Sequence, residues 1–148
     1  MAIEEHDLQE LAELRVLVIE DSFESRNLIK SELAKFGLKK LRSEENGSKL
    51  LRENKPLEVD IVLVGVGLGF CHSGIELIKA FELASLLPVW CKVIFITNSN
   101  VMASSSHPSR YLKCEVLSKP INPHVLCQLI EEGQKSILRY QSVLQSFY

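Results

Sequence analysis

Residues 16–21 read Val-Leu-Val-Ile-Glu-Asp, a short run of apolar, mostly β-branched side chains that ends in two acids. An uninterrupted apolar run of this length is typical of a strand that is buried on both faces of a parallel sheet. Apolar residues then recur at helical spacing from Leu28 to Phe36, and Gly37 supplies a C-terminal stop. This stretch therefore predicts one β-strand followed by one α-helix.

The same alternation continues along the chain. Further strands are predicted at residues 38–42, 59–64, 93–97 and 114–118, and further helices near 47–54, at 75–84 and from Asn122-Pro123 onward. The serine-rich segment 98–110 predicts a helix that is short or displaced. Parallel strands need crossover connections, and the crossover helices cover the sheet. The pattern therefore predicts an α/β fold with an open, doubly wound, five-stranded parallel sheet of the flavodoxin-like kind.

Composition excludes several classes of protein. The chain has 148 residues, 46% of them hydrophobic, and a net charge of -2. No apolar run approaches the roughly 18 residues of a membrane span, and no basic face predicts nucleic-acid binding. The four cysteines form no CxxC pair, so we interpret them as reduced thiols of a cytoplasmic protein without a zinc site. A single soluble globular domain is the remaining class.

Polar residues follow the predicted strands where a site would form. Glu20-Asp21 follows the first strand, the glycine-rich run 65–74 the third, Thr97 ends the fourth, and Lys119-Pro120 follows the fifth. In doubly wound sheets, ligands bind outside the carboxyl ends of the strands, at the switch in strand order. These four places are therefore the candidate functional site.

Together these residues resemble the receiver domain of bacterial response regulators, the CheY-like family, over about Arg15 to Gly133. Asp21, Gly65, Thr97 and Lys119 are separated by 44, 32 and 22 positions, which suits a receiver. The resemblance implies that an acidic pair and an aspartate ending the third strand hold Mg²⁺. It also implies that the threonine and the lysine contact the phosphoryl oxygens, and that a cis proline follows the lysine.

The sequence departs from the family at its central residue, because Gly65 stands where the resemblance places the phospho-accepting aspartate. Glycine has no nucleophile, whereas aspartyl phosphorylation needs a carboxylate oxygen for in-line attack. Asp60 cannot replace it, since five residues of strand place it roughly 16 Å away. We therefore predict an atypical, non-enzymatic receiver that acts by protein-protein interaction. Its degenerate phosphorylation pocket would comprise Glu20, Asp21, Gly65, Thr97, Lys119 and Pro120.

The loss of the acceptor carboxylate also changes what the pocket can hold. Two carboxylates are a poor ligand set for a hard divalent cation, so no metal or other cofactor is expected, or Mg²⁺ only weakly. The residual candidate ligands are Glu20, Asp21 and the Gly67 carbonyl. We further predict that the Lys119 ammonium pairs with Asp21 or Glu20 and closes the pocket.

Two alternatives remain open at this stage. The glycine-rich run 65–74 could bind a nucleotide or another cofactor in a flavodoxin-like module or enzyme, although it lacks the position of the dinucleotide fingerprint. The domain could instead be an active receiver with an unusual acceptor, for which Cys71, His72 and Ser73 are the nearby candidates.

The two ends complete the predicted organisation. Residues 1–14 form an acidic extension, 15–133 the receiver-like domain, and 134–148 a helical extension or linker. The predicted contact surface comprises the expected fourth helix, the fifth strand and the C-terminal helix, with Val116, Leu126, Ile130, Ile137 and Leu144 as its named residues. The expected partner is a protein, a C-terminal output or repeat domain, or a second copy bound through the C-terminal helix. We also expect the chain to be the N-terminal part of a longer protein.

Overall fold

The computed structural model describes residues 11–67, 73–98 and 113–147. Within these ranges the strands β1 to β5 span Arg15–Ile19, Lys40–Glu44, Ile61–Gly65, Lys92–Thr97 and Lys113–Ser118. The helices α1 to α4 span Phe23–Phe36, Ser48–Glu53, Gly74–Leu83 and Pro123–Gln145. The five strands form one parallel sheet in the order β2-β1-β3-β4-β5.

This strand order confirms the predicted doubly wound α/β fold. The chain adds β2 on one side of β1 and then crosses to place β3 on the other side, so the direction of winding reverses between β1 and β3. Ile19, the last residue of β1, lies opposite Val64 of β3 and Glu44 of β2. The residue after β1 therefore emerges at the switch point, which is where such sheets bind ligands.

The sheet is buried because helices cover both of its faces. All five residues of β3 and all six of β4 are buried, as their apolar sequences predict. On one face α2 and α3 contribute Leu50, Leu77, Ile78 and Phe81. On the other face α1 and α4 contribute Ile29, Leu33, Leu126, Ile130 and Ile137, joined by Leu11 and Leu14 from the segment before β1. The two apolar layers hold the strand ends in fixed positions.

Side-chain caps fix where the helices begin. The Ser22 hydroxyl accepts from the Ser25 N–H, and the Ser73 hydroxyl accepts from the Glu76 N–H. Asn122 caps α4 in the same way, with Pro123 at the first helical position as predicted. At the other end of α1, Gly37 has φ of 117°, a left-handed conformation in which glycine carries no steric cost.

The predicted boundaries differ from the observed ones mainly at the sheet edge. β2 begins at Lys40, two residues later than predicted, because this edge strand has half-exposed and exposed side chains and therefore no continuous apolar run. β3 spans 61–65 where 59–64 was predicted. The expected helix within 98–110 lies, apart from Asn98, outside the described residues.

The C-terminal helix is long and lies partly against the sheet. Its 23 residues extend about 35 Å, whereas strands of 5–6 residues extend about 17–20 Å. Among the predicted contact residues, Leu126, Ile130 and Ile137 are 0%, 0% and 4% exposed, so the prediction that they form an external surface is wrong. Their apolar stripe packs against the domain's own sheet. Within the described ranges, no helix combines the length and apolarity needed to span a membrane.

Candidate functional site: a charged pocket at the carboxyl ends of the strands

The carboxyl ends of β1, β3, β4 and β5 meet at one edge of the sheet. Gly65 at the end of β3 lies opposite Ile96, one residue before Thr97, and Thr97 lies opposite Ser118, one residue before Lys119. Glu20 follows β1 directly and pairs its backbone N–H with the Glu44 carbonyl. The parallel register thus brings together Glu20, Gly65, Thr97 and Lys119, four of the six predicted pocket residues.

Glu20 is the buried acid of this pocket. Its Oε1 accepts from the Ser22 N–H at 3.2 Å and from the Lys119 Nζ at 3.3 Å, whereas Oε2 is buried and has no hydrogen-bond partner among the described residues. Burial is the main cause that raises the pKa of Glu20, and the neighbouring Asp21 carboxyl raises it further. The Ser22 N–H and the Lys119 ammonium lower that pKa but do not cancel the rise.

Lys119 is positioned by its backbone and held by its side chain. Its N–H donates to the Thr97 carbonyl at 2.7 Å, and its peptide bond to Pro120 is cis. The side chain is 29% exposed and forms the ion pair with Glu20, whose side chain is only 2% exposed. The predicted pairing of Lys119 is therefore confirmed, with Glu20 as the partner.

Asp21 lies at the rim of the pocket, and a residue that the sequence analysis missed lies beside it. Asp21 is exposed where the chain turns from β1 into α1. Arg26, in the second turn of α1, donates from Nη1 to the Glu20 carbonyl at 2.6 Å, and its guanidinium lies 5.7 Å from the centre of the Phe23 ring. A lone arginine six residues after an acid carries no sequence signal, so only the turn geometry reveals this contact.

The described ends of the glycine-rich run lie beside the carboxyl end of β3. The Val66 N–H donates to the Ile96 carbonyl at 2.8 Å, and the Gly74 N–H donates to the Val66 carbonyl at 2.9 Å. A Cβ atom on Gly74 would overlap the carbonyl oxygen of Gly65, so α3 begins in direct contact with the end of β3. Residues 68–72, including the alternative acceptors Cys71 and His72, lie outside the described residues.

Asp60 lies at the opposite end of the sheet, as predicted. Its carboxylate accepts from the backbone N–H of Arg15 at 2.9 Å, from the Arg15 guanidinium at 3.2 and 3.3 Å, and from the Trp90 indole at 3.1 Å. Burial opposes ionisation of Asp60, but these bonds outweigh it and hold its pKa below the ordinary value. This acid is committed to a structural role away from the pocket.

The thiols of the described ranges offer no nucleophile to the pocket. Cys91, Cys114 and Cys127 are free of disulfides. Burial raises the pKa of Cys91 to about 12 and that of Cys114 to about 11. Thiols with such values stay protonated near neutral pH and are poor nucleophiles.

The residues present do not fit the tightly held Mg²⁺ ion that the resemblance implies. Among the described residues, no group of three or more His, Cys, Asp or Glu side chains converges on one point. Mg²⁺ needs several oxygen ligands, whereas one oxygen of Glu20 already bonds to the Lys119 ammonium and the Ser22 N–H. The candidate set of Glu20, Asp21 and the Gly67 carbonyl is therefore short of anionic oxygens.

Comparison with known proteins identifies the class of domain. A family model described as "Response regulator receiver domain" matches residues 16–131, most of the chain. The chain belongs to that family. It is therefore a receiver domain of two-component signalling, which is a signalling module. No curated protein sequence matches it.

Solved structures with the same fold are distant in sequence. The chemotaxis response regulator CheY4 of Vibrio cholerae is 19% identical with a TM-score of 0.68, covering 81% of this chain and 98% of that one. The N-terminal domain of a response regulator/sensory box/GGDEF three-domain protein from Carboxydothermus hydrogenoformans is 21% identical with a TM-score of 0.68, covering 87% and 98%. The signal receiver domain of an HD domain-containing protein from Pseudomonas fluorescens is 14% identical with a TM-score of 0.72, covering 88% and 93%. These likenesses support the receiver fold.

Proposed function

We propose that this receiver domain does not undergo aspartyl phosphorylation and works in one conformation, through contacts with a protein partner such as an output domain. The observation that carries the proposal is Gly65 at the carboxyl end of β3, opposite Ile96 and next to the strand that ends at Thr97. The family resemblance places the phosphate acceptor at this position, and glycine offers only a hydrogen atom there. Without a carboxylate oxygen, no acyl phosphate can form by in-line attack at this position.

The surrounding acids do not supply the missing nucleophile. Glu20 is buried, and its Oε1 is already engaged by the Lys119 ammonium and the Ser22 N–H. Asp60 lies at the far end of the sheet and bonds to Arg15 and Trp90. Thr97 carries a neutral hydroxyl, which is a weak nucleophile.

The ion pair supports the idea of a fixed conformation. In the family that this chain resembles, the lysine after the fifth strand contacts the phosphoryl group. Here the Lys119 ammonium is balanced by Glu20 within the domain. The Lys119 charge is therefore already balanced before any phosphoryl group is present, which favours a single arrangement of the pocket.

The direct experiment is incubation of the purified protein with acetyl phosphate and Mg²⁺, followed by intact mass spectrometry. We expect no added phosphoryl group on the natural sequence. The Gly65→Asp variant is the positive control, because it restores a carboxylate to the end of β3. A stable phosphoryl adduct on the natural chain would show that another residue accepts phosphate, and peptide mapping would then test Ser73, Cys71 and His72.

The cofactor-binding alternative is tested by titrating the same protein with nucleotides and flavin in a thermal-shift assay. We expect no change in Tm with any of these ligands.

A further inference from the structure

The apolar stripe of α4 continues beyond the part of the helix that lies on the sheet. Its members are separated alternately by three and four residues, and they are Ile130, Gly133, Ile137, Tyr140, Leu144 and, in the turn after the helix, Phe147. Alternating spacings of three and four place side chains along one seam of a helix, which is the pattern of the a and d positions of a coiled coil. The same apolar stripe therefore runs along both the part of α4 that packs on the sheet and the part that extends beyond it.

Burial changes abruptly along this stripe. Ile130 and Ile137 are 0% and 4% exposed, whereas Tyr140 and Leu144 are 38% and 37% exposed and Phe147 is 79% exposed. The change falls where the length of α4 exceeds that of the strands, so the last two turns have no sheet beneath them. We define Tyr140, Leu144 and Phe147 as the seam.

We propose that the seam binds the same seam of a second copy of this chain, and that the two helices run in parallel about a twofold axis. This inference goes beyond the proposed function and is independent of it, because it concerns α4 and not the acceptor position. Like residues meet across a twofold axis in such a pair, so Leu144 would pack against Leu144 of the second copy.

Charge placement favours a copy of this chain as the occupant. The positions that flank the seam carry Ser136, Gln141 and Val143, all uncharged. The two cations of this part of the helix lie elsewhere: Lys135 is opposite the seam, where it pairs with Glu131 at 3.4 Å, and Arg139 points well away from it. Two identical helices can therefore approach without like-charge repulsion, which would otherwise oppose self-association. An acidic or basic partner helix would find no matching charge beside the seam.

The C-terminal part of α4 is also already helical before it binds a partner. An isolated helix of about ten residues is marginal in water, but this one continues a helix that Leu126, Ile130 and Ile137 fix to the core. The cost of ordering the segment is thus already met within the folded domain, which favours binding. The seam comprises only three residues, far fewer than the roughly 20–30 residues a side of a standard interface. We therefore expect reversible association, with Kd on the order of 10–100 µM.

The test is the concentration dependence of mass, measured by sedimentation equilibrium or light scattering on the full chain. We expect the weight-average mass to rise from 16.7 kDa toward twice that value. Leu144→Glu should weaken association by about tenfold or more, because it sets like charges against each other. Leu138→Glu is the matched control: Leu138 is 39% exposed, against 37% for Leu144, but it lies on another side of the helix. We expect this control to associate like the natural chain.

A Leu144→Cys variant tests the parallel arrangement separately. Under mild oxidation it should form a disulfide-linked dimer, since equivalent positions meet in a parallel pair, whereas Leu138→Cys should not. The natural chain under the same oxidant measures the background from its own cysteines, of which the buried Cys91 and the half-buried Cys114 react slowly because their pKa values are raised. The proposal would be overturned if the chain stayed monomeric up to about 100 µM, because a dimer of the expected Kd would be populated at that concentration. Equal loss of association in the two glutamate variants, or equal crosslinking of the two cysteine variants, would also overturn it.

Discussion

The Lys119 ammonium lies 3.3 Å from the Glu20 carboxylate, although the two residues are 99 positions apart in the sequence. Three strands separate the ends of β1 and β5 along the chain, and β3 and β4 lie between them in the sheet. The ion pair therefore ties together the two sides of the pocket. Because Glu20 is nearly inaccessible to water, Lys119 is the cation that compensates the charge when this acid ionises.

Removing that cation should make stability depend more strongly on pH. The pKa of Glu20 is already raised, so the folded state holds the proton more tightly than the unfolded chain does. Stability therefore falls as pH rises from the ordinary value of 4.5 through the raised value. Lys119→Met takes away a group that lowers this pKa, so the fall should extend to higher pH, with a loss of about 1–3 kcal/mol at pH 7.

The measurement is urea unfolding from pH 5 to pH 8. Glu20→Gln serves as the comparison, because it has no carboxyl to titrate and should remove this part of the pH dependence. Its loss of the ion pair should cost less than Lys119→Met does, since Lys119 is 29% exposed and can turn to water. Parallel pH profiles for the natural chain and Lys119→Met would contradict the role assigned to the pair.

Asp60 should contribute to stability with the opposite dependence on pH. Its pKa is lowered, so its contribution is complete above the ordinary value of 3.8 and is lost as pH falls through the lowered value. Asp60→Asn leaves donors of Arg15 and Trp90 without a charged acceptor and should cost about 2–4 kcal/mol near pH 7. The variant should also shift the fluorescence of Trp90, the only tryptophan in the chain.

The control for this variant is Glu45→Gln, an equal change of charge at an exposed residue in the loop after β2. It should change stability by less than about 0.5 kcal/mol, as exposed sites away from special contacts generally do. If both variants lost the same stability, net charge and not the Asp60 bonds would be responsible.

Two glycines of the 65–74 run should respond differently to the same substitution. Gly74→Ala forces a methyl group against the backbone oxygen of Gly65, so α3 must move off the end of β3, at a cost of about 1–3 kcal/mol. A Cβ atom on Gly67 would lie within 4 Å of no atom of the described residues, so Gly67→Ala should be nearly neutral. Thermal unfolding of the two variants shows whether the Gly74–Gly65 contact, or any substitution in the 65–74 run, lowers stability. Equal destabilisation by both variants would exclude the contact with Gly65 as the cause.

The apolar runs predicted the fold because a doubly wound sheet buries its central strands completely. The apolar runs were least informative at β2, where Lys40 and Arg42 are exposed and the strand has no continuous apolar run. The sequence predicted that Lys119 pairs with Asp21 or Glu20, since parallel strands place the residues after β1 and β5 at the same edge, and the structure identifies Glu20 as the partner. The sequence could not predict the Arg26 contact to the Glu20 carbonyl, which depends on the path of the chain into α1.

The C-terminal helix shows that hydrophobic periodicity cannot predict which residues of an apolar stripe are buried. Ile130 and Leu144 belong to one stripe and have the same sequence signal, yet one is 0% and the other 37% exposed. Periodicity gives the apolar side of a helix and not what covers that side. The extent of the sheet determines which residues the domain buries, and this extent emerges only from the packed structure.

Restoring the carboxylate should restore metal binding to the pocket. Gly65→Asp adds a third acid to the edge that holds Glu20 and Asp21, and it gives a divalent cation the anionic oxygens that the natural chain lacks. With Mg²⁺ at ten times its Kd, the variant should gain about 1.4 kcal/mol of stability, or several degrees in Tm, while the natural chain does not respond. Gly65→Asn has nearly the same shape without the charge and should also not respond. A Mg²⁺-dependent rise in the natural chain would contradict the proposed loss of the site, and equal responses of the aspartate and asparagine variants would assign the gain to something other than charge.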